Sequence, residues 1–319
     1  ESIIYQVGSC RFVCTAPRRD GSAAARYLRR HPEGIGRVTL AVEDLARSRH
    51  ELERRGGTFV SDQRAGSEDL LELATPVDDL DLCFVQRPGV SDSRSPQRTA
   101  TGLSHVDHVT INTATILPLT LWFRHLLGLE PYWEIEFHTS DARAREQTGS
   151  GLKSVALRDP HSEIRFALNE PRRPNFLASQ IELFRQDHRG SGVQHVAIHV
   201  DRITDVVGSL RARGVRFAPT PQTYYEQLPA RLERVGVGPI GESLATLREL
   251  GILVDGSGRG RYLLQIFMED DAAFLGGRDR SPFFLELIER KGCPEFGAGN
   301  FRALFESIEA AQSARVTAP

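Results

Sequence analysis

Three residues of this chain have the types and the strand setting to hold a metal ion: His108, His195 and Glu286. Two histidines and one carboxylate, on separate strands facing one cavity, form the set expected of a mononuclear non-haem iron(II) site, which keeps further coordination positions open for substrate and oxygen. Zinc and manganese accept the same donors, so the residues alone specify a metal site rather than its ion. A histidine is otherwise a surface or satisfied core residue, and His31, His50, His105, His125, His138, His161 and His188 are read that way. His199 shares the face of His195, but four residues along a strand span about 13 Å, too far to bind the same ion. Glu286 interrupts the apolar run at 283–288; an unpaired charge buried there would be costly, and a metal partner offsets that cost.

An internal repeat supplies the elements that position these residues. Residues 34–60 realign without a gap on 192–218, with Gly34/Gly192, Val38/Val196, Val42/Val200, Leu52/Leu210, Arg55/Arg213, Gly56/Gly214 and Phe59/Phe217 identical. Arg37 stands in the first copy where the second has His195, and Cys83 stands where the companion strand has Glu286. One half therefore keeps ligands that the other has lost. In each copy an alternating strand leads through Asp44 or Asp201, expected as N-caps, into an amphipathic helix that Gly56 or Gly214 ends.

Side chains alternate across a strand, so Val196, Ile198 and Val200 cover the helix while His195, Ala197 and His199 face the other way. The same split sets Val109 and Ile111 against His108, Thr110 and Asn112, and Leu264 and Ile266 against Gln265 and Phe267; Phe284, Glu286 and Ile288 share one face. One side of the sheet reads as a cavity wall. Another module is expected from a strand at 106–112, a helix at 117–127 stopped by Gly128, and strands near 153–158 and 163–168. Residues 3–5 and 10–15 read as a hairpin. The repeated unit is a strand and a helix followed by several strands, an α+β fold.

The chain has 319 residues, 40% hydrophobic and 26% charged, with a formal net charge of −2. This is ordinary globular composition without the basic excess that nucleic acid or anionic membranes require, so neither is expected as a partner. No apolar run reaches the roughly 18–20 residues of a membrane span and no signal sequence opens the chain, which makes a cytoplasmic address the expectation. The four cysteines form no CxxC pair and read as structural thiols. A polar linker at 90–103 is expected to separate a structural domain, 1–89, from a metal-binding domain, 104–319. The first domain reads as a degenerate copy without metal, and because the chain opens on Glu1 rather than methionine, it reads as truncated.

The stretches VDHVTIN (106–112), LNEP (168–171), SGVQHVAIHV (191–200), TYYEQL (223–228), LRELGILVD (247–255), YLLQIF (262–267), FFLELIERKG (283–292) and FGAGNFRALFESIE (296–309) resemble the family of 4-hydroxyphenylpyruvate dioxygenase and 4-hydroxymandelate synthase, of the vicinal-oxygen-chelate superfamily. The resemblance implies repeated βαβββ modules forming two domains with open-barrel sheets. It also implies an iron(II) cofactor held by His108, His195 and Glu286, a small 2-oxoacid and O2 as partners, and assembly into homodimers or homotetramers. It further implies a substrate pocket of Ser154, Asn169, Gln180, Gln194, Gln265, Phe267, Phe284 and Phe301, with Gly299, Asn300 and Phe301 as a C-terminal gate. Phe301 and Asn169 resemble the dioxygenase, whose expected product is homogentisate, more than the synthase, which makes 4-hydroxymandelate. Ala167, the segment 174–178 and the acidic loop 268–282 depart from the family pattern near the expected pocket, which leaves a modified arylpyruvate as an alternative substrate. A non-enzymatic binding protein of the same fold is the further alternative.

Overall fold

The chain opens on a hairpin of β1 (Ser2–Val7) and β2 (Cys10–Thr15), then a short helix α1 (Ala23–Arg30). This is a computed structural model, and it describes residues 1–65, 68–87, 101–138, 151–172, 179–269, 281–297 and 299–300. The first repeat copy is β3 (Arg37–Val42), α2 (Leu45–Arg54), β4 (Phe59–Ala65), β5 (Glu68–Ala74) and β6 (Asp81–Gln86), a sheet in the order β3-β6-β5-β4. The second module is β7 (Leu103–Asn112), α3 (Ile116–Trp122), β8 (Glu130–His138), β9 (Gly151–Arg158) and β10 (Arg165–Pro171). After α4 (Gln180–His188) the third runs through β11 (Gly192–Val200), α5 (Ile203–Ala212), α6 (Gln222–Arg234), α7 (Leu244–Leu250), β12 (Leu253–Gly256), β13 (Tyr262–Phe267) and β14 (Phe284–Lys291).

The last two modules share one eight-stranded sheet, β12-β13-β14-β11-β7-β10-β9-β8. In every module the first strand runs parallel to the last, as β3 to β6, β7 to β10 and β11 to β14. The two large modules meet through the antiparallel pair β7 and β11, so the ligand-bearing strands β7, β11 and β14 are neighbours. Ala197 lies opposite both His108 on β7 and Glu286 on β14. A methyl group at that central position leaves the space between the two larger side chains open.

Apolar faces hold this sheet in place. Ile198, Val200, Leu264 and Ile266 pack with Ile203, Val207, Leu228 and Leu247 of the covering helices. Leu71, Leu73 and Leu82 of the first copy join Val109, Ile111, Leu168 and Val196 of the eight-stranded sheet in a second core, which ties the two parts of the chain together. Burial of this kind stabilises by about 25 cal/mol per Å² of apolar surface.

Several expectations are modified. The helix expected at 117–127 is α helical only to Trp122 and continues as one π turn, Phe123–Leu127, before Gly128 ends it at φ 72°. Strand β8 was not anticipated. Asp44 caps α2 by accepting from Arg47 N at 2.9 Å, but Asp201 does not cap α5. That helix starts one residue later, with Arg202 at the cap position, because the buried Glu289 carboxylate of β14 takes the Ile203 amide at 2.8 Å. Gly56 and Gly214 end their helices at φ 84° and 87°, a left-handed conformation that favours glycine. Most of the expected linker lies outside the described residues. No helix among the described residues is long and apolar enough to cross a membrane.

Candidate metal centre

His108, His195 and Glu286 are all buried, and one donor atom from each lies within 4.8 Å of the other two, the one such group of histidine, cysteine or acidic residues among the described residues. Glu286 Oε2 is 3.3 Å from His195 Nε2 and 3.8 Å from His108 Nε2. Donors at right angles around an ion about 2.1 Å away are separated by about 3 Å, so the spacing fits a single first-row metal. His195 Nε2 has no hydrogen-bond partner although it is buried. A buried polar atom without a partner requires an explanation, and a metal ion bound at Nε2 would provide one.

The other side of each ligand is engaged. His108 Nδ1 donates to Asp107 Oδ1 at 2.8 Å, and His195 Nδ1 donates to Gln194 Oε1 at 3.1 Å. Both contacts leave the Nε2 lone pair facing the cluster, the arrangement by which carboxylates and amides orient metal-binding imidazoles. Glu286 Oε1 accepts from Gln265 Nε2 at 2.8 Å, which leaves Oε2 for the histidines.

The electrostatics of the three ligands suit a bound cation. Burial lowers the pKa of His108, against the pull of Asp107, and lowers that of His195 well below its usual value, with His108 adding to the effect. Both rings are therefore neutral, as metal ligands must be. Burial pushes the Glu286 carboxyl up to about 8, with the Gln265 hydrogen bond acting against it. Burial would also raise Asp107, but Arg290 overrides it and, with His108, holds this carboxyl well below the usual range. Arg290 reaches Asp107 twice at 2.7 Å, and Arg165 adds a contact at 3.3 Å.

The remaining expected site residues divide into three groups. Ser154 and Asn169 face each other across β9 and β10, and Asn169 faces Asn112 across β10 and β7. Asn169 Nδ2 donates to Asn112 Oδ1 at 3.0 Å, while Ser154 Oγ, Asn169 Oδ1, Asn112 Nδ2 and Thr110 Oγ1 are buried without partners. Phe284 stacks on His195 at 4.9 Å, with Phe267 edge-on to both rings. Gln194 and Gln265, expected to face substrate, each hydrogen-bond one of the ligands. Gln180 is buried in the first turn of α4. Gly299 and Asn300 begin a helix at the described C-terminal end, and Phe301 lies outside the described residues.

Sequence reasoning missed Asp107, Arg290 and Phe296. Phe296 is buried edge-on to His108 at 4.6 Å. Asp107 left a faint signal as an acidic residue next to a candidate ligand in an apolar strand; Arg290 and Phe296 left none that spacing could detect.

The first copy repeats the register without the chemistry. Arg37 pairs with Asp81 and Thr39 with Cys83 across β3 and β6, in the positions of His195 with Phe284 and Ala197 with Glu286. Arg37 forms an ion pair with the buried Glu72. Burial pushes the neighbouring Cys83 thiol up to about 12.

Comparison with known proteins adds ancestry to this geometry. The model of the Glyoxalase/Bleomycin resistance protein/Dioxygenase superfamily matches residues 105–228. A 4-hydroxyphenylpyruvate dioxygenase of Dictyostelium discoideum is 32% identical over 93% of this chain and 82% of its own length. Another from Pseudomonas aeruginosa is 37% identical over 74% of this chain and 59% of its own. Among solved structures, a mutant 4-hydroxymandelate synthase from Streptomyces coelicolor has a TM-score of 0.76 at 24% identity, covering 98% of this chain and 87% of that one, a likeness of fold. Identity of 32% sustained over 93% of this chain and 82% of the Dictyostelium protein means that the chain belongs to the 4-hydroxyphenylpyruvate dioxygenase family.

Proposed function

We propose that this protein is an iron(II)-dependent dioxygenase that converts 4-hydroxyphenylpyruvate and O2 to homogentisate and CO2. His108, His195 and Glu286 hold the metal, the 104–319 segment carries the catalysis, and the 1–89 segment is structural. The observation that carries the reading is the set of buried polar atoms without partners on the wall beside the cluster: Thr110 Oγ1, Asn112 Nδ2, Ser154 Oγ and Asn169 Oδ1. Each represents a desolvation cost of about 1–3 kcal/mol that a polar ligand would relieve. A phenolic 2-oxoacid suits this wall, with oxygens at both ends and a ring between them.

When bound, the iron supplies a Lewis acid for the 2-oxoacid and an electron source for dioxygen. The residues of the chain do the rest. Phe284 and Phe267 flank His195 and keep water from that side, and Ser154 and Asn169 are placed to fix the ring end by hydrogen bonding. No separate reductant site is needed, because the 2-oxoacid loses CO2 and both atoms of O2 end in the products. The exposed Ile3, Ile4, Tyr5 and Val13 of the hairpin support assembly into dimers or tetramers, since apolar patches of this kind mark contact surfaces.

The test is anaerobic loading with iron(II), addition of 4-hydroxyphenylpyruvate, then aeration with an oxygen electrode and chromatography of the product. Oxygen uptake with a homogentisate peak is expected. Homogentisate and 4-hydroxymandelate are isomers, so retention time rather than mass decides between them. A mandelate peak would reassign the product, and no uptake by iron-loaded protein would refute the dioxygenase reading.

A further inference from the structure

A single file of hydrogen bonds joins Arg231 of α6, through Tyr224, Asn300 and Gln265, to the metal-facing carboxylate. At one end, the Arg231 guanidinium of α6 can only donate. Its Nη2 gives a proton to Tyr224 OH at 2.7 Å, and the Val254 amide of β12 gives another at 2.7 Å. The phenol oxygen is then fully used as an acceptor. Its own proton is left for Asn300 Oδ1 or the Val254 carbonyl, each at 2.8 Å, and that carbonyl is already served by Arg231.

With Oδ1 accepting, Asn300 must turn Nδ2 toward Gln265, and it donates to Gln265 Oε1 at 2.9 Å. With Oε1 accepting, Gln265 must turn Nε2 toward Glu286, and it donates to Oε1 at 2.8 Å. The far end is a carboxylate, which when ionised can only accept. An obligate donor at one end and an acceptor at the other leave each amide between them one orientation, because flipping either would set oxygen against oxygen. Tyr224, Asn300, Gln265 and Glu286 are all buried, so water cannot substitute for a lost link.

The backbone around Asn300 is shaped to reach this file. Gly297 sits at φ 75°, and a Cβ there would lie 2.4 Å from Gln265 Oε1, so only glycine permits the approach. Gly299 N donates to Asp255 Oδ2 at 2.7 Å, and Asn300 N donates to Gly297 O at 2.9 Å. The hydrogen bonds of Gly299 N to Asp255 and of Asn300 Nδ2 to Gln265 thus fix Asn300 beside Gln265.

We propose that Asn300 is a positioning residue for the metal centre: it locks the Gln265 amide so that Glu286 Oε1 is occupied and Oε2 alone is presented to the ion. The inference rests on the reading of His108, His195 and Glu286 as metal ligands. It also makes metal geometry depend on how Gly297, Gly299 and Asn300 are seated against Gln265 and Asp255.

Metal-free protein titrated with Co(II), monitored by its visible d–d bands and by competition with a chelator, tests this without turnover. Asn300→Asp keeps the size but removes the donor, and Gln265 must then present Oε1 to Glu286. The expected result is at least a ten-fold weaker Co(II) dissociation constant, within the roughly 10–100-fold range of outer-shell substitutions, with shifted d–d bands. Asn300→Leu, which introduces no charge, covers the case in which Asn300→Asp does not fold; it is expected to weaken binding less and to shift the same bands. Tight Co(II) binding by the unsubstituted protein, with the same constant and spectrum in the folded variants, overturns the positioning role alone. Failure of the unsubstituted protein to bind Co(II) overturns the metal-centre reading and this inference with it.

Discussion

Replacing Asp107 with asparagine tests whether the charges behind His108 are part of the metal centre or only part of the fold. Asp107 is almost fully buried and accepts two hydrogen bonds from Arg290 at 2.7 Å, one from His108 at 2.8 Å and one from Arg165 at 3.3 Å. Asparagine keeps the volume and can still accept from one neighbour, but it removes the only countercharge that Arg290 contacts among the described residues. Arg290 would retain the carbonyls of Cys293 and Glu295 and the face of Phe296 at 5.5 Å. Removing one partner of a buried pair typically costs about 3–5 kcal/mol, and the expected loss for the metal-free protein is in that range. The second effect falls on the metal. His108 loses an anionic partner at Nδ1, and affinity should drop by about 10–100-fold. Urea unfolding of metal-free protein measures the first effect and Co(II) competition the second. A stability loss below about 1 kcal/mol with unchanged Co(II) affinity would refute the reasoning, because it would mean that Arg290 finds other compensation and that His108 needs no orientation.

Two further outcomes are expected. His195→Ala should abolish metal retention, measured by elemental analysis after gel filtration, whereas Arg37→Ala should leave it intact and cost about 1–3 kcal/mol of stability by removing the ion pair of the buried Glu72; equal metal loss in both would disprove the asymmetry between the repeat copies. The second concerns pH. His188 accepts from Tyr27 OH at 3.0 Å across the contact between the two parts of the chain, and burial, with His31 beside it, lowers its pKa to about 4. The unfolded chain therefore takes up this proton first, so the contribution of His188 is constant above about pH 6.5 and turns unfavourable as pH falls towards 4, by on the order of 2 kcal/mol. Thermal midpoints of the natural protein should fall across that window more steeply than those of His188→Gln, and parallel curves would show that the ring does not titrate there.

What could be read in the sequence was what alternation and repetition encode. The faces of β7, β11, β13 and β14 follow from a period of two, and His108, His195 and Glu286 emerged because a polar residue on the wrong side of such a pattern is conspicuous. The repeat also exposed Arg37 and Cys83 as replacements, but not Glu72, which meets Arg37 through strand pairing that no spacing predicts. Strand β8 carried its own signal, since Trp133, Ile135 and Phe137 alternate with Glu134 and Glu136, yet a register break between Pro131 and Trp133 shortens the pattern. Asp201 shows the opposite failure. Its residue type before a helix suggested a cap, but the gapless repeat sets Arg202 opposite Asp44, and at that cap position Glu289 reaches the Ile203 amide from another strand, a tertiary partner in place of a local one.

The contacts within the site that stayed hidden share one property. Arg290 with Asp107, and Tyr224 with Asn300 and Gln265, are polar groups brought together over separations of 183, 76 and 35 residues. The sequence pattern and the resemblance placed Gln265 and Asn300 at the site, but nothing in the sequence paired any of these side chains with its partner. Only burial raises the stakes, because inside a low-dielectric interior every donor left without an acceptor is costly, and so the network must close on itself. The ligands of a metal centre can be recognised from their own residue types, whereas the groups that aim those ligands are defined by what they touch. Substitutions at Asp107 and Asn300 therefore probe a part of this centre that the His–His–Glu pattern cannot describe, and if both weaken Co(II) while leaving all three ligands in place, the centre is at least five residues rather than three.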